Sequence, residues 1–482
     1  MSHRALGAQL TRKRQFFMLI GVTVLLLFAV SRHHVRKYRS KPGVPIWYSG
    51  GTRADPPPQY ERLRAWEDAL PQHDVDLPFP EGKDGRYVKF SSQVYALGWN
   101  NVLNEILLCT HLAYESKRAY VFQDYHWKPE YYPWPIPVML GESSPESPRT
   151  PLNALIAGPT AGGPWDADDD APRSVSAAWF DHVCPRAARR IITTDSVKPA
   201  LRDAQGDVIH AHWTKLLRDA PERCVEVVPG PSKDDDYPQV FDLWTISSLR
   251  ILPLWDAFSK SPTSRLLATS PLVRSAVDRN EYLFHPRGPR PAFPAPHDPF
   301  ARMMALHIRR GDFDEACLRL ARWNSTFYGW NLLPALPDHF EPPPGGAWGL
   351  NTPANVALYM EHCWPTSDAI IVKVREVRAS YVAAGKDRLL DVMYLLTNGE
   401  QEWLELLKYA LRREGWHNIV TSKDLQLDRE QFGVNMAVDM DIARQAAVFI
   451  GNGVDAFLTS CAPKTHVSSS GPRSRAISCI DV

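Results

Sequence analysis

Residues 305–313, Ala-Leu-His-Ile-Arg-Arg-Gly-Asp-Phe (ALHIRRGDF), carry an apolar run straight into a cluster of charged side chains. The run from Arg302 to Ile308 predicts a buried strand, because it is short and almost wholly apolar. Its end would present His307 and Arg309 to solvent. Ligands of open α/β sheets bind at the carboxyl edge of the strands, so this segment predicts a binding site there.

Arg309 is the phosphate candidate of the segment. The planar guanidinium makes two charge-assisted hydrogen bonds to a phosphate, and one such donor is worth about 3–4 kcal/mol to a transition state that releases a nucleoside diphosphate. We predict that Arg309 binds the diphosphate, with His307 beside it. Arg310 and Asp312 are counted with the donor site, mainly as supports. An Arg–Asp pair at a domain surface would give the same pattern.

Alternating strand and helix patterns surround this segment. Strands are predicted at 369–374, 392–396, 418–421 and 446–450, and helices at Trp403–Glu414 and Met436–Gln445. Such alternation is typical of an α/β domain with a mainly parallel sheet. The Pro-dense stretch 286–299 marks the best domain boundary.

A second α/β unit is predicted upstream. Tyr87–Phe90 has the pattern of a strand, Gly98 to Asn101 that of a turn, and the following residues have helical spacing up to Ser116. A strand at 118–122 follows, which completes a βαβ opening. Gly98 gives backbone room, and Asn100, Asn101 and helix amides could meet a sugar or a phosphate; a turn that merely ends a strand is the alternative. Glu105 lies early on the helix.

A third segment joins Asp439 to Gly451-Asn452-Gly453. The tight Gly-Asn-Gly turn follows a buried strand, so its backbone amides can approach a ligand. Asp439 could accept hydrogen bonds from the amino and ring N–H groups of a purine, or could simply be a helix N-terminal charge. Asp-x-Asp pairs occur at about the chance rate, and no metal is needed if Arg309 supplies the positive charge.

The N-terminus predicts a membrane anchor. Phe16 to Val30 is apolar and has basic residues on both sides. We expect a cytosolic tail at 1–15, a signal anchor at 16–31 and a stem at 32–85, which would make a single-pass type II protein; a cleaved signal peptide is the alternative. A lumenal setting would suit the sequon at Asn324 and two disulfide candidates, Cys184 with Cys224 and Cys317 with Cys363.

Composition limits the possible partners. The 482 residues are too many for one compact core and suit two domains with extensions. The net charge of +1 and the absence of a long basic face in the sequence give little support to nucleic-acid binding.

The three segments together, in this order, resemble the GDP-fucose O-fucosyltransferase superfamily, which includes the α1,6-fucosyltransferases. HIRRGD resembles its first motif and FIGNGVDAF its last, and the likeness spans roughly residues 87 to 460. It implies a GT-B-like fold with two Rossmann-like domains facing a cleft, at 86–290 and 300–460, followed by an atypical tail at 461–482. It also implies metal-independent, inverting transfer of fucose from GDP-fucose to a protein or glycan, in the Golgi or endoplasmic reticulum.

The resemblance also implies residue roles. His307 and Arg309 would contact the donor, and Asp439 would read the guanine. Asn100 would lie near the fucose and the acceptor, and Glu105 is a candidate on the acceptor side. The donor site would also include Asn452 and Gly453.

The last motif departs from the family pattern. The two hydroxyl residues that bind phosphate in the family are replaced by Asp455 and Ala456, and a carboxylate there would repel a diphosphate. Thr459 and Ser460 could substitute if the loop shifts. Two alternatives therefore stay open: the same fold with another GDP-sugar such as GDP-mannose, and an inactive lumen-facing scaffold with a degenerate donor site.

Overall fold

The computed structural model describes residues 57–93, 97–134, 148–231, 237–285, 298–311, 313–326, 329–334, 336, 340–385, 389–452 and 478–481. The predicted cytosolic tail and anchor, and residues 286–297 of the Pro-dense stretch, lie outside these ranges. Within them, no helix has the length and apolar character needed to cross a membrane.

The first sheet is built from five parallel strands in the order β6-β2-β1-β8-β7. Central β1 pairs with β2 through Tyr87 and Ala119, and with β8 through Tyr87 and Cys224. Most of its central residues are buried, as expected for a parallel sheet covered on both faces. The strands are β1 (Tyr87–Phe90), β2 (Ala119–Phe122), β6 (Val175–Ser176), β7 (Arg190–Thr193) and β8 (Cys224–Val228), and the short pairs are β3 (Tyr125–His126) with β4 (Arg149–Thr150) and β5 (Ile156–Ala157) with β9 (Ala268–Thr269).

Helices cover this sheet and lead out of it. The long helix that follows β1 is almost wholly buried, as its apolar spacing predicts. The helices are α1 (Glu61–Asp68), α2 (Trp99–Glu115), α3 (Leu152–Leu155), α4 (Ala177–Val183), α5 (Gly206–Asp219), α6 (Leu243–Ile246), α7 (Trp255–Lys260), α8 (Pro262–Arg265) and α9 (Pro271–Asn280).

The second sheet repeats the plan, again with five parallel strands, in the order β12-β11-β10-β13-β14. The strand that leads into the arginine motif is its centre. The strands are β10 (Met303–Ile308), β11 (Val392–Thr397), β12 (Asn418–Thr421), β13 (Val448–Gly451) and β14 (Ser478–Asp481). The predicted α/β class with mainly parallel sheets is therefore confirmed.

The helices of the second half are α10 (Asp314–Trp323), α11 (Pro353–Cys363), α12 (Ser367–Ala383), α13 (Gln401–Arg413), α14 (Arg429–Phe432) and α15 (Asn435–Gln445). The prediction of a strand at 369–374 is wrong, because these residues lie within α12. Thr366 caps the helix through the backbone N–H of Ala369, and Ile370, Val374 and Val377 fall on one buried face. Helical spacing and a cap outweigh the β-propensity of the branched residues.

Two boundaries differ from the sequence-based expectation. The segment assigned to the stem is packed from residue 57 onward, since Tyr60 is 3% exposed and Leu70 is 4% exposed in the core. Helix α9, assigned to the first domain, packs against α15 of the second half. Asn280 also donates to the carbonyl of Gln426. The chain therefore reaches the second sheet before the Pro-dense stretch.

The tail contributes a strand that the sequence did not predict. β14 pairs in parallel with β13, with Val448 opposite Ser478. It extends the second sheet at one edge.

Candidate functional site

The order of the second sheet places a ligand crevice at β10. Strands β11 and β12 lie on one side of β10, and β13 and β14 lie on the other. The chain therefore reverses its direction of growth between β10 and β13. In doubly wound sheets, such a switch point opens a crevice at the carboxyl ends of the strands. Arg309 follows β10 and Asn452 follows β13, so both lie at this point.

Two asparagines hold the arginine loop in place. The backbone N–H of Arg309 donates to Oδ1 of Asn452 at 3.3 Å. The backbone N–H of Arg310 donates to Oδ1 of Asn398 at 2.6 Å. Asn398 follows β11, so the loop after the central strand is fastened to the ends of both neighbours. Gly311 has φ +69°, and an added Cβ would lie 3.0 Å from Nδ2 of Asn398, so this turn requires glycine.

Arg310 supports the loop from beneath. Its side chain is buried, and its guanidinium lies 4.6 Å from the ring centroids of both Trp364 and Trp403. It donates to the carbonyl of Pro365. Burial lowers the pKa of Arg310 to about 10, so the group stays charged at neutral pH. These contacts turn the guanidinium into the protein, which favours the supporting role over the donor contact also predicted for it.

Arg309 occupies a different environment from Arg310. Its side chain is partly exposed, and its guanidinium carbon lies 5.4 Å from the ring centroid of Phe313. The fixed backbone and partial exposure suit an arginine that binds a phosphate at the crevice.

A disulfide braces this loop. Cys317 of α10 is bonded to Cys363 at the end of α11. The carbonyl of Cys363 accepts a hydrogen bond from Nδ2 of Asn452 at 2.9 Å. Asn452 is fully buried and uses its side chain in these contacts, so it positions Arg309. The second predicted pair, Cys184 with Cys224, is also joined and lies at the first sheet.

Asp439 lies beside strands β11 and β12, near His307 of β10. Its carboxylate accepts hydrogen bonds from the hydroxyl of Tyr394 on β11 and from the hydroxyl of Ser422 after β12. Burial raises the pKa of Asp439 to about 6, although the two hydroxyls and the nearby His307 lower it. Each carboxylate oxygen has two lone pairs, so both oxygens keep capacity for a ligand's N–H groups.

The neighbouring Asp441 faces elsewhere. It accepts hydrogen bonds from Thr269, Arg444 and Gln445. The two carboxylates of the Asp-x-Asp pair therefore serve different parts of the structure, as their spacing of two residues on a helix dictates.

The residues predicted from the first half lie at the start of α2. Gly98 precedes the helix and is exposed, Asn100 and Asn101 are partly exposed in the first turn, and Glu105 is 1% exposed. The carbonyl of Asn100 accepts from Asn104, whose Oδ1 accepts from Nε1 of Trp330 in the second half. This first turn is thereby tied to the other half of the molecule.

Some predicted site residues are outside the described ranges. They are Asp312, Gly453, Thr459 and Ser460, together with Asp455 and Ala456 of the departing motif. Asn324 of the sequon ends α10 with φ 48°, and its Oδ1 lies beside Gly346.

The structure adds Asn398, Tyr394 and Ser422 to the candidate site. A signal for Asn398 is visible in the sequence, since β11 and β13 both end in Asn-Gly, as Thr397-Asn398-Gly399 and Gly451-Asn452-Gly453. Tyr394 and Ser422 carry no comparable signal, because their role depends on where α15 packs.

Solved structures similar to the chain include structures of fucosyltransferases. One is POFUT1 in complex with GDP-fucose, at 12% identity and TM-score 0.45, covering 82% of this chain and 97% of that chain. Another is the NodZ α-1,6-fucosyltransferase soaked with GDP-fucose, at 11% identity and TM-score 0.36, covering 78% and 91%. No protein-family model and no curated protein sequence matches the chain.

Proposed function

We propose that this chain is a glycosyltransferase that uses GDP-fucose as donor and a protein or a glycan as acceptor. The observation that carries the proposal is that Arg309 follows the central strand of the second sheet and that Asp439 lies near His307 of the same strand. Arg309 follows the central strand at its switch point, and Asp439 is held by Tyr394 and Ser422 on adjacent strands. A nucleoside diphosphate needs a cation for its phosphates and an acceptor for its base, and these residues supply both.

The chemistry follows from these two groups. The guanidinium of Arg309 would bind the β-phosphate and offset the charge that develops as GDP leaves, which replaces a metal in that role. Ionised Asp439 would accept hydrogen bonds from the amino and ring N–H groups of guanine, with His307 nearby. Inversion would then result from one direct attack by the acceptor on the face opposite GDP. Asn100 is better placed than buried Glu105 to meet the acceptor.

We further propose a lumenal location for the folded part, in the Golgi or endoplasmic reticulum. The two disulfides support this proposal, because such bonds persist in oxidising compartments.

Calorimetry with GDP and a hydrolysis assay test the proposal on the purified folded chain. We expect micromolar GDP binding, and release of GDP from GDP-fucose at a rate well above that from GDP-mannose. A preference for GDP-mannose would reassign the donor within the same reaction class. GDP binding without turnover of either sugar would favour the inactive scaffold, and the absence of GDP binding would refute the donor site itself.

A further inference from the structure

Three aromatic rings meet at the C-terminal end of α10, the helix whose first turn follows the arginine loop. Trp323 and Trp348 stack with ring planes 5° apart and centroids 5.5 Å apart. Trp244 stands against both, at 61° to Trp348 and 63° to Trp323, with centroids 5.3 and 5.5 Å away. We call these three residues the tryptophan corner. Trp348 is 64% exposed and Trp244 is 37% exposed.

The tryptophan corner is held by specific backbone contacts. Trp348 is at the tip of the loop 345–351, where Ala347 and Leu350 exchange two backbone hydrogen bonds. The N–H of Gly349 donates to the carbonyl of Arg322 at 2.9 Å. Nδ2 of Asn351 donates to the carbonyl of Ala321 at 2.7 Å. The carbonyls of Ala321 and Arg322 lie in the last turn of α10, where the regular hydrogen bonds of the helix end. The hydrogen bonds from Gly349 and Asn351 therefore cap the end of the helix and fix the loop at the same time.

The backbone of this loop requires glycine at three positions. Gly345 and Gly349 have φ +87° and +79°, and a Cβ on Gly346 would lie 2.3 Å from Oδ1 of Asn324. Three glycines in this loop lower the stability of the folded state, because each loses much conformational entropy on folding. The mostly exposed indole of Trp348 buries little apolar surface and so adds little stability in return. The arrangement therefore points to a ligand for the ring.

The size of the exposed surface distinguishes between classes of ligand. A tryptophan can bury at most about 250 Å², so Trp244 and Trp348 together expose on the order of 250 Å². A stable protein interface needs about 800 Å² from each partner. Even with Leu350, which is 71% exposed, the tryptophan corner is too small for such an interface. It matches one or two sugar rings.

The shape and polarity also match a sugar. The face of an aromatic ring is electron-rich, and the C–H bonds on one face of a pyranose carry partial positive charge. Two stacked indoles form a flat floor and a third indole stands beside them, so such a ring can contact indoles on two sides. We propose that the tryptophan corner binds a neutral oligosaccharide whose pyranose rings stack on Trp348 and Trp244.

Cellotetraose, a neutral chain of all-equatorial pyranose rings, is the probe for this proposal, with isothermal titration calorimetry as the measurement. We expect binding with a millimolar Kd by the full-length protein. Trp348→Ala should weaken it roughly tenfold or more, which corresponds to loss of one stacked ring. Trp348→Phe should retain part of the affinity, and Leu350→Ala, in the same turn, should bind as the unmodified protein does.

Protection of the exposed indoles from N-bromosuccinimide by the sugar is a second readout that does not depend on heat. No binding by the unmodified protein, or equal binding by Trp348→Ala, would overturn the proposal. A concentration-dependent dimer that Trp348→Ala abolishes, without sugar binding, would assign the tryptophan corner to a protein partner instead. The tryptophan corner shares no residue with the proposed donor site, so Arg309→Ala should bind cellotetraose normally even where it loses GDP.

Discussion

The two sheets have the same plan but differ at the switch point. At the first sheet, the carboxylate of Glu226 accepts a hydrogen bond from the hydroxyl of Ser91 at 2.5 Å and another from the guanidinium of Arg189 at 2.9 Å. Burial would raise the pKa of Glu226, but these two partners hold it below its ordinary value. At the second sheet burial prevails, and the pKa of Asp439 is raised to about 6.

The opposite pKa shifts of these two carboxylates indicate which of two similar halves holds the candidate functional site. At the first edge, Glu226, Ser91 and Arg189 satisfy one another, so this cluster stabilises the fold. At the second edge, the carboxylate of Asp439 is held in an environment that disfavours its charge, near His307 of the strand that leads into the arginine loop. Perturbed groups at a crevice are functional candidates for this reason. The following variants test whether the two edges differ as described.

Arg309→Ala should have the largest effect. We expect turnover of GDP-fucose to fall roughly 100- to 1,000-fold, because a positive charge aimed at the leaving diphosphate is removed. Single-turnover rates measure this. Arg189→Ala at the first edge is the matched control; it should lower the melting temperature and leave turnover unchanged. Equal losses in both variants would end the distinction between the edges.

Asp439→Asn should weaken GDP binding by roughly 10- to 100-fold, since a hydrogen bond to a charged group is worth about 1.5–3 kcal/mol. Calorimetry checks this. Asp441→Asn, two residues away on the same helix, is the control and should bind GDP normally. A loss of affinity in the Asp441 variant alone would exchange the two assignments.

The same variant has a stability signature with pH. The folded pKa of Asp439, about 6, is above its ordinary value of 3.8. The folded state therefore holds the proton more tightly, and ionisation costs stability as pH rises from about 4 to about 6. The unfolding free energy of Asp439→Asn relative to the unmodified protein should rise over this window, by at most about 3 kcal/mol. Urea melts at several pH values measure it, and a flat difference would contradict the raised pKa.

The disulfides should differ in their effect on the site. Each closes a loop of similar length, 40 and 46 residues apart, so removing either should cost roughly 4 kcal/mol of stability. Only Cys317→Ala/Cys363→Ala should also weaken GDP binding, by roughly tenfold, which corresponds to about 1.4 kcal/mol. The reason is that the carbonyl of Cys363 supports Asn452, which in turn holds the backbone of Arg309. Cys184→Ala/Cys224→Ala should bind GDP normally. Equal affinities in the two double variants would show that the brace does not act on the loop.

Gly98→Ala should have the smallest effect on the fold. Gly98 has φ −58°, and an added Cβ meets no described atom within 4 Å. We expect a change in unfolding free energy within about 0.5 kcal/mol. Weaker donor or acceptor kinetics at unchanged stability would support the predicted role of Gly98 in giving a ligand room, and unchanged kinetics would limit Gly98 to a helix start.

Local patterns were sufficient for most of the fold. The strands at Tyr87–Phe90, Met303–Ile308 and Asn418–Thr421 follow from short apolar runs, which a parallel sheet buries on both faces. The helix over 367–383 was misassigned because branched apolar residues suit a strand locally, whereas its cap and its buried face become evident only with the packed neighbours.

The sequence alone was enough to single out the residues proposed for the donor site, since His307, Arg309 and Asp439 stand out by type and by order along the chain. The tertiary structure added the reason why Arg310 supports the loop, because the indoles that enclose its guanidinium come from residues 364 and 403. It alone also supplied the clamp by Asn398 and Asn452 and assembled the tryptophan corner. These contacts join residues far apart in the chain, and a local pattern contains no information on which distant side chain will pack against it.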